Sequence, residues 1–393
     1  MKNLAERLAD WAASFEPSSG DAALAARALT DSVAVAAAGA GESVTRVAAA
    51  EEDAIRWATA IHALDYDDLH MESTAHISAV CVPAALATGG GVDAYLAGAG
   101  VMARLGMALG WRHYERGWHA TCTAGAFGAA VASGVGAGLD ARGLATALAL
   151  AVPAAGGVQR AFGTQAKPLQ VGFATAAGVR ATRLTSNGAE ADPTALDQLV
   201  ELLGGSSDVA LDGPAIPGGL AVKVYPCCYA LQRPIAAVQD LDVDAAEVEA
   251  VDCRTPRAAL QPLNRHRPRT GLEGKFSLEY GIAAALLDKP VGFASFTDEA
   301  VCRPEAQRLL AKVSVTEEGE GNGLLDGCFR VRVRLRSGSS VEHEMTLPPG
   351  APNRPPSQAD LARKVDDCCG PLAPEVLGVP WEKASHVLRR LLL

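Results

Sequence analysis

Aromatic side chains are scarce in this chain, 5% of 393 residues, while Ala and Gly abound. That composition favours helices packed closely through small residues over a β-sandwich. Positive charge is also in short supply. There are 35 Lys and Arg against 45 Asp and Glu, a formal charge of −10. This argues against nucleic acid or an anionic membrane as the main partner, since both need a basic face. No block of like charges is long enough to serve as an interaction tail. No uninterrupted apolar run reaches the roughly 18 residues that span a bilayer. The amino terminus, MKNLAERLADWAASFE, reads as a charged amphipathic helix and not as a signal peptide. The nine cysteines form no CxxC and no Cys/His grouping with zinc spacing. They read as reduced thiols of a cytoplasmic protein. The Gly-rich runs lack the strand and acidic residue of a dinucleotide fingerprint, and no GxSxG is present.

What the chain does have is apolar bulk and periodicity. Apolar residues make up 49% and charged residues 20%, enough for a large core in a length that suggests two or three domains. Residues 3–15 place Leu4, Leu8, Trp11 and Phe15 on one helical face. Asp21 can cap a second helix over 22–38, apolar on all sides and therefore buried. Further helices are expected over about 51–64, in two segments between 77 and 109 separated by Gly89-Gly90-Gly91, and over 122–138, 143–151, 165–185 and 229–239. Residues 186–221 read as loop. Alternation of period two then appears at 248–253, 312–316, 329–335 and 340–345, with helices between at 276–287 and 299–310. The expected fold is mainly α with a smaller α+β domain. The helical domain covers 1–240 plus 355–393, and the α+β domain 241–354.

The polar residues concentrate in Ile61 to Val80, IHALDYDDLHMESTAHISAV, with three of the eight histidines and three aspartates. Such a cluster costs folding energy unless it is solvated, paired or used. Reactive side chains stand in apolar or turn-rich surroundings at Asp65 with His76, at His119, Lys167 and Lys223, and along Arg267 to Tyr280. Several precede or begin an expected helix, where free backbone N–H groups and the positive dipole end lie. Lysines, histidines and helix amino ends together suit an anion, and a di- or tricarboxylate is the natural guest. Structural readings compete. His119 beside Trp118 can be a packed, hydrogen-bonded ring, Lys167 a solvated side chain, and Lys223 the exposed face of a strand. The run Asp65, Asp67 and Asp68 can be a turn, a cap or a metal site, although no fixed-spacing loop of oxygen ligands follows it.

Six segments occur together in one order: HALDYDD at 62–68 with HIS at 76–78, GWHATCTAGAFGAA at 117–130, GTQAKPLQVG at 163–172, KVYPCC at 223–228, RPRTGLEGKFSLEY at 267–280 and FTDEAV at 296–301. In this the chain resembles the MmgE/PrpD family of 2-methylcitrate dehydratase-like proteins. The resemblance implies that family's two-domain architecture, with a large helical domain made from both ends of the chain. It also implies a homodimer and no redox or metal cofactor. The implied activity is a lyase that removes a proton α to a carboxylate of a small polycarboxylate. Loss of water ranks first, with epimerisation, decarboxylation or a lapsed anion-binding role as alternatives. The catalytic residues it implies are Asp65, His76, His119, Lys167, Lys223 and Tyr280, with Arg269 and Lys275 as neighbours that bind substrate. Asp65, His76 and His119 each stay open as the base. Asp67, Asp68 and His70 then read as capping, solvated or lining residues, and His62 as structural. The chain departs from the pattern where Leu69 replaces a Thr, where Gln170 follows Lys167-Pro168-Leu169 in place of a His, and where Leu231 and Gln232 follow the cysteines. Leu69 and Gln170 are accordingly expected to touch the substrate.

Overall fold

The computed structural model describes residues 2–392 apart from 320, 322 and 325. Residues 1 and 393, the ends of the expected helical domain, and the three within the expected α+β domain lie outside the described residues. The chain divides into two compact units. The helical unit comprises Met1–Arg160, Gln165–Ala221 and Ser357–Leu393. Its first helix, α1 (Leu4–Ser14), starts at a capping box between Asn3 and Glu6. The second, α2 (Ser19–Gly39), is capped by Ser18, whose hydroxyl accepts from the Asp21 N–H. Asp21, expected as the cap, instead closes that box from the third helical position. There follow α3 (Ser43–Val47), α4 (Asp53–His62), α5 (Ile77–Ala87), α6 (Val92–Glu115), α7 (Ala120–Gly136), α8 (Ala141–Ala151), α9 (Ala166–Ser186) and α10 (Ala195–Leu202). The last lies where a loop is expected. It has only eight residues, and it is anchored by buried Leu196 and Val200 one turn apart.

Small residues set the packing of the long helices. A Cβ at Gly98 of α6 would meet the Gly128 carbonyl of α7 at 2.5 Å. A Cβ at Gly178 of α9 would meet the Ala130 backbone nitrogen of α7 at 2.4 Å. Helix α7 is thereby clasped at a backbone approach that only glycine permits. Two helices, α2 and α6, are long and apolar enough to cross a bilayer by length and composition. Most of each is buried inside the unit, and their charges are used there. Arg104 of α6 donates to the carbonyls of Ala210, Asp212, Pro214 and Ala215, pinning the loop that follows α10.

The second unit comprises Ala161–Thr164 and Val222–Pro356. It holds α11 (Tyr229–Gln239), β1 (Val248–Thr255), α12 (Arg257–Leu260), α13 (Gly271–Gly274), α14 (Leu278–Leu287), α15 (Asp298–Cys302), α16 (Pro304–Leu310), β2 (Val313–Glu317), β3 (Phe329–Leu335) and β4 (Ser340–Met345). The sheet order is β2-β1-β3-β4. Strand β1 runs parallel to β2, pairing Val251 with Val313, and antiparallel to β3, pairing Val251 with Val333. Strand β4 is antiparallel to β3. Alternation sends Phe329, Val331 and Val333 into the core, while Arg330 and Arg332 pair with Glu344 and Glu342 on the outer face. The unit begins at 222 and not near 241. Helix α11 is as apolar as those of the first unit, yet Leu231, Ile235 and Val238 join the core of α14 and the sheet. The change of composition near 245 marks the first strand, not the boundary. The helix expected over 299–310 is two, broken at Arg303, which is extended ahead of Pro304.

The chain then returns to the helical unit with α17 (Gln358–Cys369), α18 (Ala373–Val376) and α19 (Trp381–Leu391). Helix α17 lies on α2. Its Lys364 is buried, 2.6 Å from Asp31, and donates to the Tyr66 carbonyl at 2.9 Å. The ammonium also sits 4.0 Å from the centre of the Tyr66 ring. The tail thus holds the segment between Asp65 and Asp67.

Candidate active site

Three helix amino ends meet around the polar cluster. His76 occupies the cap position of α5, His119 that of α7, and Lys167 lies in the first turn of α9. None of the three ends has a side-chain cap, so their dipoles favour negative charge nearby. The Thr121 hydroxyl accepts from the His76 N–H at 3.1 Å and joins the first two ends. His62 closes α4, and the chain then turns through Asp65, whose φ is +53°. Aspartate tolerates this left-handed conformation better than most residues, at a cost of about 1–3 kcal/mol that the surroundings must hold.

One carboxylate organises two imidazoles. His62 Nδ1 lies 2.9 Å and His76 Nδ1 3.0 Å from Asp67 Oδ2. The His62 ring therefore carries a proton on Nδ1, and both rings turn Nε2 away from Asp67. His62 Nε2 faces the Lys167 ammonium at 2.7 Å. His76 Nε2 is 3.5 Å from Asp65 Oδ1, which lies 2.9 Å from Lys167. The result is a closed circuit of two carboxylates, two imidazoles and one ammonium, with every member buried. Burial pushes the Asp67 carboxyl up, but the two histidines outweigh it and hold it well below the usual carboxylate range. Burial lowers His62 below the ordinary imidazole value, against the pull of Asp67. Burial, reinforced by the Lys167 charge, holds His119 well below it.

His62, Asp65, Asp67 and His76 each offer a ligand atom within 4.8 Å of one another, a donor set that could hold a divalent metal. The Lys167 ammonium stands against two of these four groups, His62 and Asp65.

Of the expected site residues, the structure brings together Asp65, His76, His119, Lys167 and Gln170, all in the helical unit. Lys167 is buried and not solvated. Leu69 is buried, and its backbone pairs with Ala221 in both directions. Gln170, expected to touch substrate, turns its amide to Val158 and to the His119 ring. Lys223, Lys275, Tyr280 and Arg269 belong to the second unit. There Lys223 is fully buried and not an exposed strand residue, Lys275 lies 6.0 Å from the Phe296 ring, and Arg269 is exposed. Tyr280, expected as a proton donor, sits in that unit's apolar core, where its hydroxyl donates to the Ser295 carbonyl. Gln232, where a His is expected by resemblance, clamps the Val224 and Tyr225 amides.

Sequence reasoning missed Asp67 and His62 as members of the circuit. The signal was their spacing: His62 ends a helix, and five residues of tight turn bring Asp67 back to its ring. His70 is a brace, with its nitrogens 2.7 Å from the Ser73 hydroxyl and 2.6 Å from the Pro217 carbonyl. Asp68 accepts from the Ser78 N–H and hydroxyl, and burial pushes its carboxyl up to about 7.

Comparisons with known proteins find two family domains, the second of which runs past Pro356 into α17 and α18 of the helical unit. Residues 44–206 match the MmgE/PrpD N-terminal domain and residues 225–378 the MmgE/PrpD C-terminal domain. Among curated proteins, the chain is similar to the cis-aconitate decarboxylase of Aspergillus terreus, 26% identical over 347 residues, 77% of this chain and 71% of that protein. It is similar to the cis-aconitate decarboxylase of Mus musculus, 27% identical over 341 residues, 78% of this chain and 69% of that protein. The Homo sapiens cis-aconitate decarboxylase is 25% identical over 340 residues, with shares of 78% and 69%.

Proposed function

The chain belongs to the MmgE/PrpD family, and from that premise we propose that it is a lyase of a small di- or tricarboxylate. The proposed reaction passes through a carbanion, or enediolate, next to a retained carboxylate. The observation that carries this reading is the circuit in which Asp67 anchors both His62 and His76 beside the Lys167–Asp65 pair. A carboxylate behind an imidazole fixes its tautomer and supports its protonated form, as in acid–base pairs generally. His76 then exchanges a proton at Nε2 with the reacting carbon. Lys167 and the uncapped helix ends lower the charge of the retained carboxylate, and each such donor contributes about 2–4 kcal/mol to the transition state. Asp65 keeps Lys167 in place.

Decarboxylation is the first assignment for the bond that breaks. It rests on the likeness to cis-aconitate decarboxylases across more than two thirds of their length. The C–C bond to one carboxylate breaks, CO2 leaves with no electron pair, and the carbanion takes a proton from His76. β-Elimination of water, as in a 2-methylcitrate dehydratase, is the second assignment: His76 Nε2 takes the proton α to the retained carboxylate, and the carbanion so formed expels the β-hydroxyl, which leaves as water with a proton returned to it from the site. No cofactor enters either route. We further propose a cytoplasmic homodimer, for which the nine free cysteines and the family resemblance are the support. Proton NMR of the protein with cis-aconitate, citrate and 2-methylcitrate tests the assignment. Loss of cis-aconitate with formation of a CO2-depleted acid supports decarboxylation. Collapse of the 2-methylcitrate methyl doublet to a vinylic-methyl singlet, or a new vinyl signal from citrate, supports dehydration. Turnover of none of the three refutes a lyase of this substrate class.

A further inference from the structure

The three imidazoles of the site are not equivalent, and the difference lies in what faces Nδ1. For His62 and His76 it is the Asp67 carboxylate, an acceptor. For His119 it is the Gln170 amide nitrogen at 2.6 Å and the Cys122 sulfur at 3.2 Å.

We infer that Gln170 is a positioning residue which, with Cys122, holds the His119 proton on Nε2 and so makes this ring a hydrogen-bond donor and not a base. The inference rests on the functional reading above. The orientation of the Gln170 amide follows from its other partners. Its Oε1 accepts from the Val158 N–H at 3.2 Å, and its Nε2 lies 3.4 Å from the Val158 carbonyl. Reversing the amide would set oxygen against oxygen and nitrogen against nitrogen at one residue. With this orientation an NH2 hydrogen points at His119 Nδ1, so that nitrogen must accept. Burial pushes the Cys122 thiol up, so it too is an S–H donor. A neutral imidazole has one acceptor nitrogen. Two donors at Nδ1 therefore place the proton on Nε2. Gly157 secures the arrangement. At φ +98° it leaves no room for a Cβ, which would lie 2.6 Å from Cys122 Cβ and 3.2 Å from Gln170 Oε1. The His119 backbone is equally constrained, by bonds from its N–H to the Gly157 carbonyl and from the Cys122 N–H to its own carbonyl.

The consequence is a division of labour. His76, backed by a carboxylate, can gain and lose a proton at Nε2. His119, backed by two donors, offers an N–H that holds a carboxylate or enediolate oxygen and keeps its proton.

Nitrogen-15 NMR of histidine-labelled protein reads the tautomer without substrate, and His119→Gln identifies the signals. The expected wild-type spectrum has His119 neutral with Nδ1 unprotonated. In Gln170→Glu a carboxylate replaces the amide donor, so the His119 signals should show a protonated Nδ1, and the ring should titrate at higher pH than in wild type. Cys122→Ala should leave the wild-type tautomer in place, because Gln170 remains, and serves also if the glutamate variant does not fold. A wild-type His119 protonated at Nδ1 would overturn the inference, as would an unchanged tautomer in folded Gln170→Glu. If the tautomer is as stated and no polycarboxylate is turned over, the functional reading fails and the positioning role stands.

Discussion

Replacing Lys167 by Met keeps the length of the side chain and removes its charge. In the wild type the ammonium is 2.9 Å from Asp65 Oδ1 and 2.7 Å from His62 Nε2, and both carbon and nitrogen atoms of the lysine are buried. At an effective dielectric near 20, the attraction to Asp65 is about 6 kcal/mol. Desolvation of both charges offsets part of this, so the measured quantity is the cost of leaving Asp65 buried without its cation, about 3–5 kcal/mol. Urea denaturation should register that loss as a lower midpoint with an unchanged slope. Activity should suffer separately. If Lys167 lowers the charge of the retained carboxylate, kcat/KM should fall by about 30- to 1000-fold, the effect of removing one donor worth roughly 2–4 kcal/mol at the transition state. Lys167→Arg, which keeps the charge, should restore stability more than activity, because the guanidinium cannot occupy the same position between His62 and Asp65. A Lys167→Met protein that unfolds within about 1 kcal/mol of wild type and turns over substrate within threefold would refute the reasoning.

Asp67→Asn removes the charge that anchors two imidazoles and sets an amide NH2 against one of the Nδ1–H groups. Turnover should fall at least about 100-fold, and the acid–base profile should move, since His76 loses its carboxylate. An unchanged profile would exclude the pairing. Lys364→Met should cost about 3–5 kcal/mol by stranding Asp31, and an added Asp31→Leu should recover most of it in a double-mutant cycle. Additive losses would show that the pair does not couple. The Asp68 carboxyl sits at about 7, so the folded state takes up this proton at higher pH than the unfolded chain does. Its stabilising effect is full below the ordinary carboxylate value and is lost as pH rises to about 7, a span worth roughly 4 kcal/mol. Asp68→Asn should therefore be more stable than wild type at pH 8, with the difference gone near pH 4, as followed by urea midpoints. The reverse order would show that Asp68 is held ionised.

Much of the fold was legible because helix and strand periods differ. The four strands from Val248 to Met345 and the long helices through 92–109 and 166–186 lie where the pattern of apolar residues places them, and the first of these helices breaks at Gly110, just past its expected end. The boundary of the second unit was not legible, because α11 buries its apolar face against a sheet that comes later in the chain. The same limit governs the site. Asp65, His76, His119 and Lys167 stand out as reactive residues at helix ends, and the structure brings them together. Which of the neighbouring acids joins the circuit depends on the turn at Asp65, with its left-handed backbone, and on a lysine about 300 positions away that holds Tyr66. No local pattern contains that contact. Gln170 likewise reads as a lost histidine until its amide is seen against Val158.

The central claim is that His76, anchored by Asp67, exchanges a proton with a carbon next to a carboxylate. Deuterium incorporation from D2O during reaction with cis-aconitate, read by NMR in wild type and in folded His76→Ala, tests it most directly. The account predicts deuterium at that carbon in the wild-type reaction and a loss of incorporation of at least about 100-fold in the variant. Incorporation at the wild-type rate without the His76 imidazole would contradict it.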